Sequence, residues 1–251
     1  MTFAATLVVC VALCLALRKA IHRVPWVFYG LAVAADIVYL YVDQIGFSRP
    51  LRVFMFDQLQ EAILPLALFC VVMFIGCLPR TSKIAQQLRQ IRGELSIVAC
   101  ILCVAHMVLY LMSYAPKLSG GGVNSNVLVS FAVAVVLLVL FLVLGVTSFN
   151  FVKRRMSAVA WKRVQRLAYP FFGLVYVHLL LMLLPAALRG GEAALVNVSI
   201  YTVLFVGYAL WRTQRALADR RERGGACEKT DRKEAAYGEG LVEEDGEAVM
   251  A

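Results

Sequence analysis

Apolar residues come in seven long stretches along this chain, at roughly 2–17, 25–42, 61–78, 95–115, 126–148, 167–187 and 194–212. Each is near the length at which a helix crosses a hydrocarbon layer, and each is bounded by polar or charged residues. No stretch shows the period-two alternation of a half-buried strand, so the pattern predicts an all-α, polytopic membrane helix bundle of about seven spans. The first stretch is short and resembles the core of a signal peptide. It lacks a basic region before it and a small-x-small cleavage pattern after it, so a retained helix is expected.

The polar segments between stretches sort by charge. Basic clusters follow stretch one (Arg18, Lys19, Arg23), three (Arg80, Lys83, Arg89, Arg92), five (Lys153, Arg154, Arg155, Lys162, Arg163, Arg166) and seven (Arg212, Arg215, Arg220, Arg221, Arg223). The alternate loops are poorer: Lys117 after stretch four, Arg189 after six, and Arg49 and Arg52 beside Asp43 and Asp57 after two. The positive-inside rule then sets the N-terminus outside and the C-terminus in the cytoplasm of a multi-pass cell-membrane protein. This alternation supports seven spans over six or eight.

Composition agrees: 61% of residues are hydrophobic and 16% charged, against about 45–50% and about 25% in soluble domains. The net charge is +9. Its concentration at the ends of apolar stretches marks topology and a lipid bilayer as the partner, and argues against nucleic acid. Six of the seven cysteines, Cys10, Cys14, Cys70, Cys77, Cys100 and Cys103, lie inside apolar stretches, where a thiol behaves as a small hydrophobe. The loop Ser119-Gly120-Gly121-Gly122 is flexible in composition. From residue 213 the chain is first basic, then acidic through Glu243, Glu244, Asp245 and Glu247, which predicts a disordered cytoplasmic tail. There is no internal repeat and no Gly-x-Gly-x-x-Gly. Three segments result: 1–24, an N-terminal helix with its basic loop; 25–212, the helix bundle; and 213–251, the tail.

Three histidines carry the candidate chemistry. His22 lies in the basic loop after stretch one and reads as interfacial. His106 and His178 each lie deep in an apolar stretch, where ionisable groups are costly and usually functional. A neutral histidine bonded to a neighbouring helix remains open for either one. The two share a register, however: His106 is 12 residues after Glu94 and His178 is 12 after Arg166, each at the end of a basic loop. At helical rise both lie roughly 18 Å above the inner boundary, on helices running in the same direction. Two imidazoles at one depth suit the two axial positions of a haem iron, with the porphyrin in an apolar interhelical slot toward the outer face. A zinc reading of Cys100-x-x-Cys103-x-x-His106 is weaker, because the spacing does not match c-type haem attachment and a structural zinc needs a fourth ligand. Asp36, in stretch two, is a buried or boundary acid to which no role is assigned.

At these residues a family resemblance enters. Arg92-Gly93-Glu94-Leu95-Ser96, with His106 in the same helix, resembles the Arg-x-x-Leu-Gly…His segment of the ferric reductase-like transmembrane domain. Trp161-Lys162-Arg163-Val164-Gln165-Arg166-Leu167-Ala168-Tyr169, followed by His178, resembles that family's Trp-x-x-Leu-His-Arg-Leu-x-Tyr…His segment. The family includes ferric reductases, NADPH oxidases and the haem-bearing membrane subunit of the periplasmic methionine sulfoxide reductase system. The resemblance covers roughly 60–212 and makes the first helix an addition. It implies a b-type cytochrome passing electrons across the membrane, with His106 and His178 as axial haem ligands. The family commonly has a histidine where this chain has Gln165, thirteen residues before His178, and Gly93 stands thirteen before His106. Glutamine is a poor iron ligand, so one haem b is expected and not two.

Electrons would then enter from a quinone, a flavin or a protein partner at the basic inner surface, or from outside. Arg163 and Arg166, with Lys162, are candidate contacts for an anionic cofactor or the haem propionates, with topology anchoring as the alternative. Without a flavin or nicotinamide domain in this sequence, the expected role is an electron-transfer subunit with a separate redox protein as partner, its acceptor on the outer face being a metal ion, a quinone or a redox protein. A small-molecule transporter and a haem-free structural or assembly protein stand as alternatives. The transporter would call for helices broken at the midplane and matching halves, and neither is evident.

Overall fold

The computed structural model describes the backbone of residues 2–79, 81–119 and 125–248, and side chains of 2–79, 81–117 and 125–221. Arg80 and the glycines of the 119–122 loop lie outside the described residues, as do the side chains of the charged tail from 222 onward.

The chain is helical throughout the described elements: α1 Phe3–Arg23, α2 Pro25–Leu40, α3 Val42–Ile45, α4 Arg49–Met55, a π-helical turn Phe56–Gln60, α5 Ile63–Phe74, α6 Lys83–Gln90, α7 Arg92–Ser119, α8 Ser125–Ser148, α9 Asn150–Arg155, α10 Ala158–Gln165, α11 Ala168–Leu188 and α12 Glu192–Ala248. Local sequence sets many of the ends. Pro25 opens α2 at the position where its missing N–H costs nothing. Ser157 caps α10 by accepting from the Ala160 N–H at 3.2 Å. Gly190, at φ 85°, takes the left-handed conformation that ends α11.

Six of the seven predicted apolar stretches are helical over nearly their whole length, and 61–78 is helical only over Ile63–Phe74. Five helices are long and apolar enough to cross a membrane: α1, α7, α8, the α10–α11 segment Ala158–Leu188, and Glu192–Arg221 of α12. A sixth span forms if α4, the π-helical turn and α5 count as one helix bent by 43°. α2, with 16 residues, is apolar but shorter. The protein is therefore a multi-pass integral membrane bundle.

The molecule divides into residues 1–207 and 208–251. In the first unit α5 is the centre, with Leu66, Ala67, Leu68, Cys70, Val71, Val72 and Met73 all buried. It packs between α1 and α7; α2 and α8 pack on α7, and α11 on α8. The start of α12 joins both ends of this series. The Tyr201 ring packs at a tilt 4.9 Å from that of Phe3 of α1, and the Phe205 ring, also tilted, 4.4 Å from that of Phe172 of α11. Small side chains allow the close approaches that stand in for hydrophobic drive inside lipid: Ala99 and Ala105 of α7 are fully buried, and an added Cβ at Gly145 of α8 would meet Cys100 Sγ of α7 at 3.4 Å. Outward positions such as Val139 and Val203 are apolar and exposed, as lipid-facing residues must be. In the second unit Arg215 pairs with Asp219 at 3.0 Å along the helix.

Candidate functional site

His106 sits in the middle of α7 and His178 in the middle of α11. The Nδ1–H of His106 donates to the backbone carbonyl of Gln60 at 2.6 Å. That carbonyl is available because the helix before α5 breaks there: the π-helical turn ends at Gln60 and Ala62 takes φ 55°, so the usual i→i+4 ladder is interrupted. His178 Nδ1 lies 3.3 Å from the backbone carbonyl of Ser130 and 3.1 Å from its Oγ. Donation of Nδ1–H to the Gln60 carbonyl fixes the His106 tautomer and leaves the lone pair on Nε2. In His178 the Ser130 carbonyl suits the same tautomer, whereas the Ser130 hydroxyl can pair with either one.

Both helices pack on α8, whereas α7 and α11 are not among the helix pairs in extensive direct contact. His178 lies within electrostatic reach of His106. Two imidazoles held at Nδ1 on helices bridged by a third, with Nε2 of each unpartnered among the described residues, have the donor chemistry of a bis-histidine haem site. Metal-bound histidines characteristically donate their other ring nitrogen to a carbonyl in this way. The residues present therefore fit the group. Among the described residues, no cluster of three or more His, Cys, Asp and Glu gathers as a metal site, so Cys100 and Cys103 do not assemble a zinc centre with His106.

Several groups around His106 were not legible beforehand. Tyr110, one turn on, packs its ring at 4.8 Å from the imidazole and donates to Glu61 Oε1 at 3.0 Å. Tyr39 of α2 donates to Gln60 Oε1 at 2.6 Å, locking the segment whose carbonyl holds His106. The i, i+4 spacing of His106, Tyr110 and Tyr114 was the available signal. Gln60 was invisible, since any residue supplies a carbonyl. Asp36 is buried in α2 with Oδ1 unpartnered among the described residues, and its carboxyl reaches the α7 backbone at Ala105.

At the other end, Gln165 donates through Nε2 to Thr147 Oγ1 at 3.0 Å, and Trp161, one turn earlier, donates through Nε1 to the Thr147 carbonyl at 3.1 Å. Together they clamp α10 to the end of α8. Arg163 and Arg166 sit on and just after α10, both exposed. Arg166 is 12 residues from His178, roughly 18 Å along the helix. The structure thus sets the two histidines on helices that both pack on α8, within electrostatic reach of each other, and leaves the two arginines on and just after α10, before α11 begins.

Residues 59–176 match the family described as "Ferric reductase like transmembrane component". A protein of Treponema pallidum (strain Nichols), titled only "Uncharacterized protein", is 39% identical over 227 residues, covering 88% of this chain and 62% of the relative. The chain thus spans less than two thirds of that relative's length. No solved structure matches the chain.

Proposed function

The chain belongs to the ferric reductase-like transmembrane family through residues 59–176, and from that premise we propose that it is a membrane b-type cytochrome relaying electrons across the bilayer. One haem would be held between α7 and α11 by His106 and His178. The observation that carries this reading is the placement of the two imidazoles: Nδ1 of each lies on a neighbouring group, the Gln60 carbonyl or Ser130, and Nε2 of each has no hydrogen-bond partner among the described residues.

When bound, the haem supplies a one-electron carrier in the low-dielectric interior. The chain's own residues do the rest. Gln60 and Ser130 orient the ligands, the apolar faces of α7, α8 and α11 exclude water, and Tyr39 holds the bend in place. Arg163 and Arg166 form a cationic surface on the side proposed to face the cytoplasm, suited to an anionic electron donor such as a flavin or to docking of a donor protein; a quinone is the apolar alternative. The acceptor belongs on the outer face, as a metal ion, a quinone or a separate redox protein. Gln165 is engaged with Thr147, which supports one haem per chain.

The test is a reduced-minus-oxidised absorption spectrum of the purified protein, with haem counted per chain. A sharp b-type signal at about one haem per chain is expected, and His106→Ala and His178→Ala should each abolish it. Spectra unchanged in both variants would overturn the ligand assignment. The same hydrogen bonds also hold Nδ1 of both imidazoles without iron, so a haem-free structural bundle is the second reading. A wild-type protein that takes up no haem under ample supply would favour it.

A further inference from the structure

The C-terminal end of α1 and the face of α6 enclose a cleft of about 430 Å³ lined by Arg18, Lys19, His22, Arg23, Gln87 and Gln90. It lies where the apolar run of α1 gives way to basic residues, at the level where headgroup phosphates sit against a spanning helix. Positions 18, 19, 22 and 23 fall on one helical face, and 87 and 90 lie one turn apart on α6.

The lining is chemically one-sided. Three cations and a histidine face two amides, and no carboxylate lines the cleft. Arg18 spends one N–H on the Leu15 carbonyl at 2.8 Å. Among the described residues, the side chains of Lys19, His22, Arg23, Gln87 and Gln90 make no hydrogen bond or ion pair. Like charges crowded on one helix end repel unless an anion or solvent compensates. Loop cations that only report topology do not need a concave wall with amide donors opposite them, whereas phosphate recognition does. The α6 wall is fixed, because Ala85 and Leu88 are buried and Ser82 caps its first turn.

We propose that this cleft between α1 and α6 binds a phosphate ester anion, gripped by Arg18, Lys19 and Arg23 and completed by the side-chain amides of Gln87 and Gln90. The phosphate can come from the headgroup of an anionic lipid or from a soluble phosphate compound. The proposal does not depend on haem.

The test uses the full chain in mild detergent. Native mass spectrometry counts retained phosphatidylglycerol against phosphatidylcholine, and thermal unfolding is followed with inorganic phosphate and with pyrophosphate. The wild type should retain phosphatidylglycerol selectively, and the triple variant Arg18→Gln, Lys19→Gln, Arg23→Gln should lose about ten-fold of that retention. The control Lys153→Gln, Arg154→Gln, Arg155→Gln, with the same charge change on another loop, should keep it. Protection of the wild type, but not of the cleft variant, by inorganic phosphate or pyrophosphate without lipid selectivity would support the soluble source. Equal loss in cleft and control variants, or no discrimination by either probe, would overturn the proposal. If the triple variant does not fold, Gln87→Leu with Gln90→Leu leaves every charge in place, and undiminished selectivity there would overturn it equally.

Discussion

Gln165 shows how a single side chain can tie two helices together at the position where the family resemblance leads one to expect a histidine. Its amide donates to Thr147, whose hydroxyl in turn donates to the Val143 carbonyl at 2.7 Å. Such bonds between membrane helices average about 0.6 kcal/mol, with about 1.7 as the upper measured value. Gln165→Ala should therefore lower thermal stability by an amount in that range while leaving haem per chain unchanged. Loss of haem in that variant would show that Gln165 serves a cofactor after all. Ser130 sits differently. Ser130→Ala removes Oγ but keeps the carbonyl that His178 also faces, so haem should still bind, and the cost should again be near 0.6 kcal/mol in a melting experiment. At this scale the histidines were legible, because an ionisable residue deep in an apolar run stands out. Their partners were not. Gln60 acts through its backbone, and Ser130 is one hydroxyl in an apolar stretch whose facing residue depends on how α8 meets α11.

Among the elements, the bent third span departs most from the sequence pattern. A continuous helix over 61–78 was expected, and the chain instead confines it to Ile63–Phe74, with a left-handed Ala62 before it and a π-helical turn over Phe56–Gln60 ahead of that. Pro65 explains part of this. In the first turn of α5 its ring is tolerated, but it bars a continuous helix through Glu61, whose carbonyl would lie four residues back. Nothing in the hydropathy marks the extra residue of a π turn, so the break was not legible, although the apolar content was. An L-residue in the left-handed region costs roughly 1–2 kcal/mol, and glycine avoids most of that. Ala62→Gly should thus raise the melting temperature, and Ala62→Val should lower it. The opposite order would mean that the bend is not held in this conformation. Gly145 tests the neighbouring contact. Its position against Cys100 leaves room for little beyond a methyl group. Gly145→Leu should push α8 away from α7, costing about 1–3 kcal/mol as overpacking does, with partial haem loss read from the spectrum.

For the molecule as a whole, the charged loops gather by contacts that do not depend on the positive-inside rule. α1 packs on α6 near its basic end, and α6 packs on α7, which begins at Arg92. The start of α7 lies beside the end of α8 through Cys100 and Gly145, and α9 and α10 pack on α8. Three basic clusters, 18–23, 83–92 and 153–166, therefore belong to one end of the bundle. His178 meets Ser130 while Gln165 meets Thr147, so α11 runs antiparallel to α8 and carries Arg189 and Glu192 to the far end. One bundle end that gathers three basic clusters and one that holds only Arg49, Arg52, Lys117 and Arg189 is the arrangement that the membrane potential and the insertion machinery orient with the basic end inward. Single cysteines placed in a background lacking the native ones read this directly. Glu192→Cys and Ser48→Cys should react with a membrane-impermeant thiol reagent in intact cells, and Ser157→Cys should react only after the membrane is opened. Labelling of Ser157→Cys in intact cells would invert the bundle. The proposed electron path would then run the other way, with the histidines nearer the cytoplasm and the arginines of α10 facing outward, while the haem ligation itself would stand.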